Sequence, residues 1–124
     1  MDARGFLEKV EACRQAGWRL VLINATSVLP SAEAAEGAVD LSWTFEREGK
    51  LEHLLQRVTG GEEVPSISPL FPPAFLYENE IRDLFGVNVT GLTVDLKGEL
   101  YRTATKVPMS PRAIRARLEA RDRR

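Results

Sequence analysis

Val39 to Phe45 alternates in strict period two, with Val39, Leu41, Trp43 and Phe45 on one side and Asp40, Ser42 and Thr44 on the other. Successive side chains of a strand project to opposite faces, so this run predicts a half-buried β-strand. A face that carries Trp43 and Phe45 has to be covered, which commits the chain to a sheet packed under another layer. The following segment, Glu46 to Lys50, reads as a turn containing Gly49. Leu51, Leu54, Leu55 and Val58 then match helical spacing, yet eight residues without an N-cap make a poor helix. Their place directly after a turn favours the return strand of a hairpin, and we read Leu51–Val58 as strand.

Upstream, Asp2 caps a first helix in which Phe6, Leu7, Val10 and Cys13 recur at helical spacing, and Gly17 ends it. Trp18 to Asn24 is a short, nearly continuous apolar run and predicts a buried strand. Residues 25–37 are small, polar and interrupted by Pro30 and Gly37, so they read as a connection with one helical turn at Ala32–Glu36. Downstream, Gly and Pro dominate residues 59–73 and predict an extended loop. Pro73 opens a helix that runs to Phe85 and is closed by Gly86. Its apolar stripe is Ala74, Tyr77, Ile81 and Leu84, widened by Phe75, Leu76 and Phe85. A short extended piece at Val87–Val89 follows, then Gly91 and a polar stretch with Asp95 and Gly98. The expected fold class is α+β in two layers: an antiparallel sheet covered by the N-terminal helix and the helix at 73–85.

The 124 residues, 44% hydrophobic and 28% charged, suit one globular domain and exclude wholesale disorder. Cys13 is the only cysteine and His53 the only histidine, which excludes a disulfide framework, a cysteine-built zinc site, an internal catalytic triad and a His-rich metal site. The N-terminus lacks the apolar stretch of a signal peptide, and the longest apolar run, Leu20–Ile23, falls far short of a membrane span. The expected location is cytoplasmic, or peripheral to something larger.

A formal charge of −1 conceals a division. Residues 102–124 hold eight basic and two acidic side chains, a net of +6, whereas residues 1–101 hold nine and sixteen, a net of −7. The chain is therefore read as a domain over 1–101 and a basic arm over 102–124. Ser110 caps a helix in the arm, but Ile114 and Leu118 give it too thin an apolar face to stand alone. Residues 110–124 are expected to be mobile or held by a neighbouring chain. The arm also admits a second reading, neutralisation of nucleic-acid phosphates, although it lacks interleaved aromatic residues.

Glu78, Asn79, Glu80, Arg82 and Asp83 form the densest polar cluster. Glu78 and Arg82 are placed to pair four residues apart, and Glu80 and Asp83 share a face with Leu76 and Val87. A carboxylate pair for proton transfer or a metal, a solvated salt-bridged face and a face docked on another subunit are all compatible with that pattern. His53 reads as a surface or partly buried strand residue, and Cys13 as a small core residue. No glycine pattern for a phosphate or dinucleotide occurs.

Residues 64–95 carry something more specific. Val64-Pro65-Ser66-Ile67, then Leu70-Phe71-Pro72-Pro73-Ala74, then Tyr77-Glu78-Asn79-Glu80-Ile81-Arg82-Asp83-Leu84-Phe85-Gly86-Val87 resemble the signature of the 30-kDa subunit family of respiratory complex I. That signature runs VPS, an aromatic-Pro-x-Ala step, then YERExxDLFGI; Gly91 and Asp95-Leu96-Lys97 look like a degraded form of its G-H-P-D-L-R ending. Asn79 stands where the pattern has a basic residue, and Leu92 where it has histidine. With the short chain, these departures make it look more like the counterpart in energy-converting membrane-bound [NiFe] hydrogenases than a respiratory NADH-quinone oxidoreductase subunit.

The resemblance implies a scaffold role in a peripheral arm. It implies no cofactor in this chain, with NiFe and iron–sulfur clusters, or FMN, in partner subunits. The implied partners are a large hydrogenase-like catalytic subunit and iron–sulfur subunits of the same complex. Pro65, Ser66, Tyr77, Glu78, Glu80, Asp83, Phe85, Gly86 and Asp95 become fold and docking positions, with Glu80 and Asp83 meeting arginines of the large subunit. An independent enzyme using Glu80 and Asp83, and a free-standing nucleic-acid-binding module, are the readings from other classes.

Overall fold

Residues 1–31, 37–96 and 109–122 are described by the structure, a computed structural model. Three antiparallel strands make the main sheet: β1 (Arg19–Ser27), β2 (Val39–Arg47) and β3 (Lys50–Val58), in that spatial order. The alternation in β2 is resolved as expected, with Val39, Leu41, Trp43 and Phe45 buried on one face. Trp43 packs against Phe6 at 4.5 Å between ring centroids, and Phe45 against Phe71 at 5.3 Å. These tilted contacts join the sheet to the N-terminal helix α1 (Ala3–Gln15) and to the proline-rich loop. Asp2 caps α1 by accepting from the Gly5 amide at 3.1 Å.

Leu51–Val58 is indeed strand, and β3 pairs with β2 in unbroken register from Arg47↔Lys50 to Val39↔Val58. The turn passes through Glu48 (φ 52) and Gly49 (φ 80), both left-handed, which matches the twist of the two strands.

Three expectations are corrected. β1 does not stop at Asn24: Ala25, Thr26 and Ser27 pair with Leu41, Asp40 and Val39. Small polar residues carry little strand propensity of their own, and the partner strand supplies their hydrogen bonds. Nor is β1 wholly buried, since it alternates, with Ile23 and Ala25 inside and Leu22 and Asn24 outside. Finally, the stretch 59–73 is not loop throughout: β4 (Glu63–Pro65) pairs in parallel with β5 (Asn88–Thr90) to form a second, two-stranded sheet. The helical turn expected at Ala32–Glu36 lies outside the described residues.

Helix α2 (Ala74–Phe85) lies between β4 and β5 in sequence and packs against β1, where Tyr77 Oη donates to the Val21 carbonyl at 3.1 Å. Gly86 closes it in the left-handed conformation, φ 76, with its amide bonded to the Arg82 carbonyl at 3.0 Å. A third helix, α3 (Pro111–Asp122), begins against the body: the Met109 amide donates to the Leu84 carbonyl and Ser27 Oγ donates to the Met109 carbonyl. Ser110 and Pro111 are buried there, whereas Leu118 is exposed.

Candidate functional site

The motif helix turns part of its polar cluster inward, while Glu80 and Arg82 stay partly exposed. Glu78 is 2% exposed and Asn79 fully buried, both turned into the body beside Ala74 and Ile81. The pairing of Glu78 with Arg82 expected from their spacing is absent. Glu78 instead accepts from Ser66 Oγ at 2.7 Å on one oxygen and from the Ile67 amide at 2.7 Å on the other. Ser68 lies behind Ser66 at 2.7 Å, and Thr93 donates to Ser68 from both its amide (3.2 Å) and its hydroxyl (2.9 Å). Because the Ser66 proton is directed at Glu78, Ser68 must be the donor to Ser66. The hydroxyls therefore run one way, Thr93 to Ser68 to Ser66 to Glu78, and polarise one another in sequence. Burial pushes the Glu78 carboxyl above the usual range, and the hydrogen bonds from Ser66, Ile67 and Ser68 pull it part of the way back.

Asn79 clamps a second loop. Its Nδ2 donates to the Phe75 carbonyl at 2.7 Å and the Val94 carbonyl at 2.8 Å, while Oδ1 accepts from Arg82 at 3.0 Å and the Leu96 amide at 2.9 Å. Arg82 in turn reaches Asp95 at 2.7 Å and Asp83 at 3.3 Å. Burial works against the Arg82 charge but is outweighed by those two carboxylates, so the group is more basic than usual. Glu78 and Asn79 together fasten the segments before and after α2, residues 66–68 and 93–96, to one helix.

Pro65, Ser66, Tyr77, Glu78, Phe85, Gly86 and Asp95 are thus brought together as parts of one loop–helix–loop unit, and Glu80 and Asp83 lie on the same helix. Asp83 is 8% exposed in its side chain, and its Oδ2 is buried with no hydrogen-bond partner among the described residues. A buried acceptor left without a donor is costly, by about 1–3 kcal/mol. Asn79, read in the sequence as a member of the polar cluster and a departure from the family pattern, is the residue whose structural role sequence reasoning missed. Four polar groups converging on one short side chain leave no local pattern.

Among the described residues, no three His, Cys, Asp or Glu side chains converge as a metal site. His53 is exposed on β3 with Nδ1 at 2.8 Å from Thr44 Oγ1. Cys13 is half-buried, and burial together with the charge of Glu52 raises its thiol pKa, which makes a nucleophilic thiolate scarcer. No helix among the described residues is long and apolar enough to cross a membrane.

The family of the respiratory-chain NADH dehydrogenase 30 kDa subunit matches residues 6–111, from the first helix to the start of α3. The chain belongs to that family. No curated protein matches it. Among solved structures, a chain of the membrane-bound sulfane sulfur reductase, an archaeal respiratory membrane complex, superposes with a TM-score of 0.71. The alignment covers 98% of this chain and 74% of that one at 15% identity, so the likeness is one of fold. The clamp formed by Glu78 and Asn79 therefore lies within the matched region, on the helix between β4 and β5.

Proposed function

We propose that this protein is a non-catalytic scaffold subunit in the peripheral arm of a membrane-bound oxidoreductase complex, most closely an energy-converting [NiFe] hydrogenase, and that it docks on the large subunit through the motif helix and its loops. One observation carries the reading: Glu78, Asn79 and Arg82 are occupied in holding two loops to one helix. Such internal bonding builds a rigid surface rather than a reaction centre. The family to which the chain belongs supports a place among subunits of a respiratory-type complex.

Asn79 and Leu92, together with the compact chain, favour the hydrogenase branch. The family description favours the runner-up, a respiratory NADH-quinone oxidoreductase subunit. Under either branch the cofactors sit in neighbouring subunits, and attachment to the membrane is indirect. Affinity purification of the tagged chain from solubilised membranes tests this reading. A large subunit bearing paired CxxC motifs is the expected companion, a quinone-reductase large subunit selects the runner-up, and recovery of neither overturns both.

A further inference from the structure

The two edges of the main sheet differ in how they are protected. At the β1 edge the register slips between Leu20 and Leu22, the Val21 carbonyl is taken by Tyr77, and α2 packs alongside. At the opposite edge, β3 runs through nine residues without a proline or a break in register, and no strand lies beyond it among the described residues. Bulges, prolines, edge charges and covering elements are the usual means of stopping a free edge from pairing; β3 carries Lys50, Glu52 and Arg57, but among the described residues it has no bulge, proline or covering strand along its middle.

The hairpin fixes which backbone groups face outward. A two-residue turn makes Arg47 and Lys50 the closing hydrogen-bonded pair, and bonded and non-bonded pairs alternate from there. The amides and carbonyls of Leu51, His53, Leu55 and Arg57 consequently point away from β2. Their side chains lie on the outer pleat, where Leu51 is 57% and Leu55 76% exposed. Arg57 is paired with Asp40, and His53 Nδ1 lies 2.8 Å from Thr44 Oγ1.

On the other pleat a cleft of about 360 Å³ separates the middle of β3 from α1. Its α1 wall includes Asp2, already used as helix cap, and Lys9, which has no anionic partner among the described residues.

We propose that the free edge of β3 accepts an extended segment of a different protein chain as a fourth, hydrogen-bonded strand. Alternate side chains of that segment are apolar and cover Leu51 and Leu55; the intervening ones include a carboxylate that meets Lys9. This inference rests on the edge geometry and stands apart from the choice of parent complex.

The test is a photoreactive benzophenone amino acid at Leu55 of the full chain in its native cells, with Glu8 on α1 as control. The linked peptide is identified by mass spectrometry, and amide hydrogen exchange is compared between the free chain and the captured assembly. The expected result is one extended segment of another protein. Exchange at Leu51, His53, Leu55 and Arg57 should be slowed about tenfold or more, with Glu52, Leu54 and Gln56 slow in both states. Leu55→Pro removes an outward amide while sparing the β2 ladder, and Leu55→Lys serves if proline disturbs the fold. Either should abolish capture from a probe at Leu51. Linkage to a second copy of this chain, yields no higher than at Glu8, slowing at consecutive rather than alternate amides, or capture indifferent to both variants would each overturn the proposal.

Discussion

Ser66 Oγ lies 2.7 Å from Glu78 Oε1, across twelve residues and wholly inside the protein. That contact converts a Pro-rich loop, which has little structure of its own, into a fixed surface beside the motif helix. The second oxygen of Glu78 accepts from the Ile67 amide, so one carboxylate satisfies a side chain and a backbone group together.

Replacing Glu78 should therefore be felt throughout the unit. In Glu78→Gln the carbonyl can serve Ile67, but the amide then faces Ser66 and must reverse the hydroxyl chain against Thr93, which already donates twice to Ser68. We expect a loss of about 1–3 kcal/mol in urea unfolding, and a larger loss in Glu78→Ala, which strands both donors. A change under a few tenths of a kcal/mol would show that the network has no energetic role.

The two shifted glutamates give opposite pH dependences. Below its ordinary value of 4.5, Glu78 is protonated folded and unfolded alike. As pH rises past that value the unfolded chain ionises first, so stability falls until the buried group ionises too. Glu62, held to about 2 by Thr59 and the N-terminal ammonium, contributes stability above 4.5 that is lost as pH falls toward 2. In thermal melts the advantage of wild type over Glu78→Gln should shrink as pH rises from about 4 to about 8, whereas the deficit of Glu62→Gln should disappear at the acid end. An advantage that grows with pH would contradict the Glu78 assignment.

Asn79→Lys restores the basic residue of the family pattern but is expected to harm this chain. The ammonium would replace an acceptor shared by Arg82 and the Leu96 amide, leaving a buried cation beside another. An uncompensated buried charge costs about 3–5 kcal/mol, and chemical denaturation of the purified variant measures it. Asn79 is thus bound up with the loop around Val94, and a neutral or stabilising substitution would show the clamp to be dispensable.

Much of the fold was legible where periodicity was strong. The alternation of Val39–Phe45, the turn at Gly49 and the capped helices at Asp2 and Gly86 all appear as read, because local propensity and burial agree there. The extension of β1 through Ser27 and the parallel pairing of Val64 with Val89 were not legible, since each depends on a distant partner strand. The site divided similarly. The motif located the helix, yet Glu78 and Asn79 look solvent-facing by residue type, and only their distant partners Ser66 and Val94 explain their burial.

Gly86 occupies φ 76 at the end of α2. Gly86→Ala should cost about 1–2 kcal/mol through the left-handed backbone alone and lower the midpoint of thermal unfolding. An unchanged midpoint would mean that the helix end relaxes without strain.

The central claim, membership of a membrane-bound oxidoreductase assembly, is tested most directly by native size separation of solubilised membranes carrying the tagged chain. The expected result is migration in a high-mass, redox-active band with a large catalytic subunit, and dispersal of that band when the chain is deleted. Migration at the mass of the free chain, with the assembly intact and active in its absence, would contradict it.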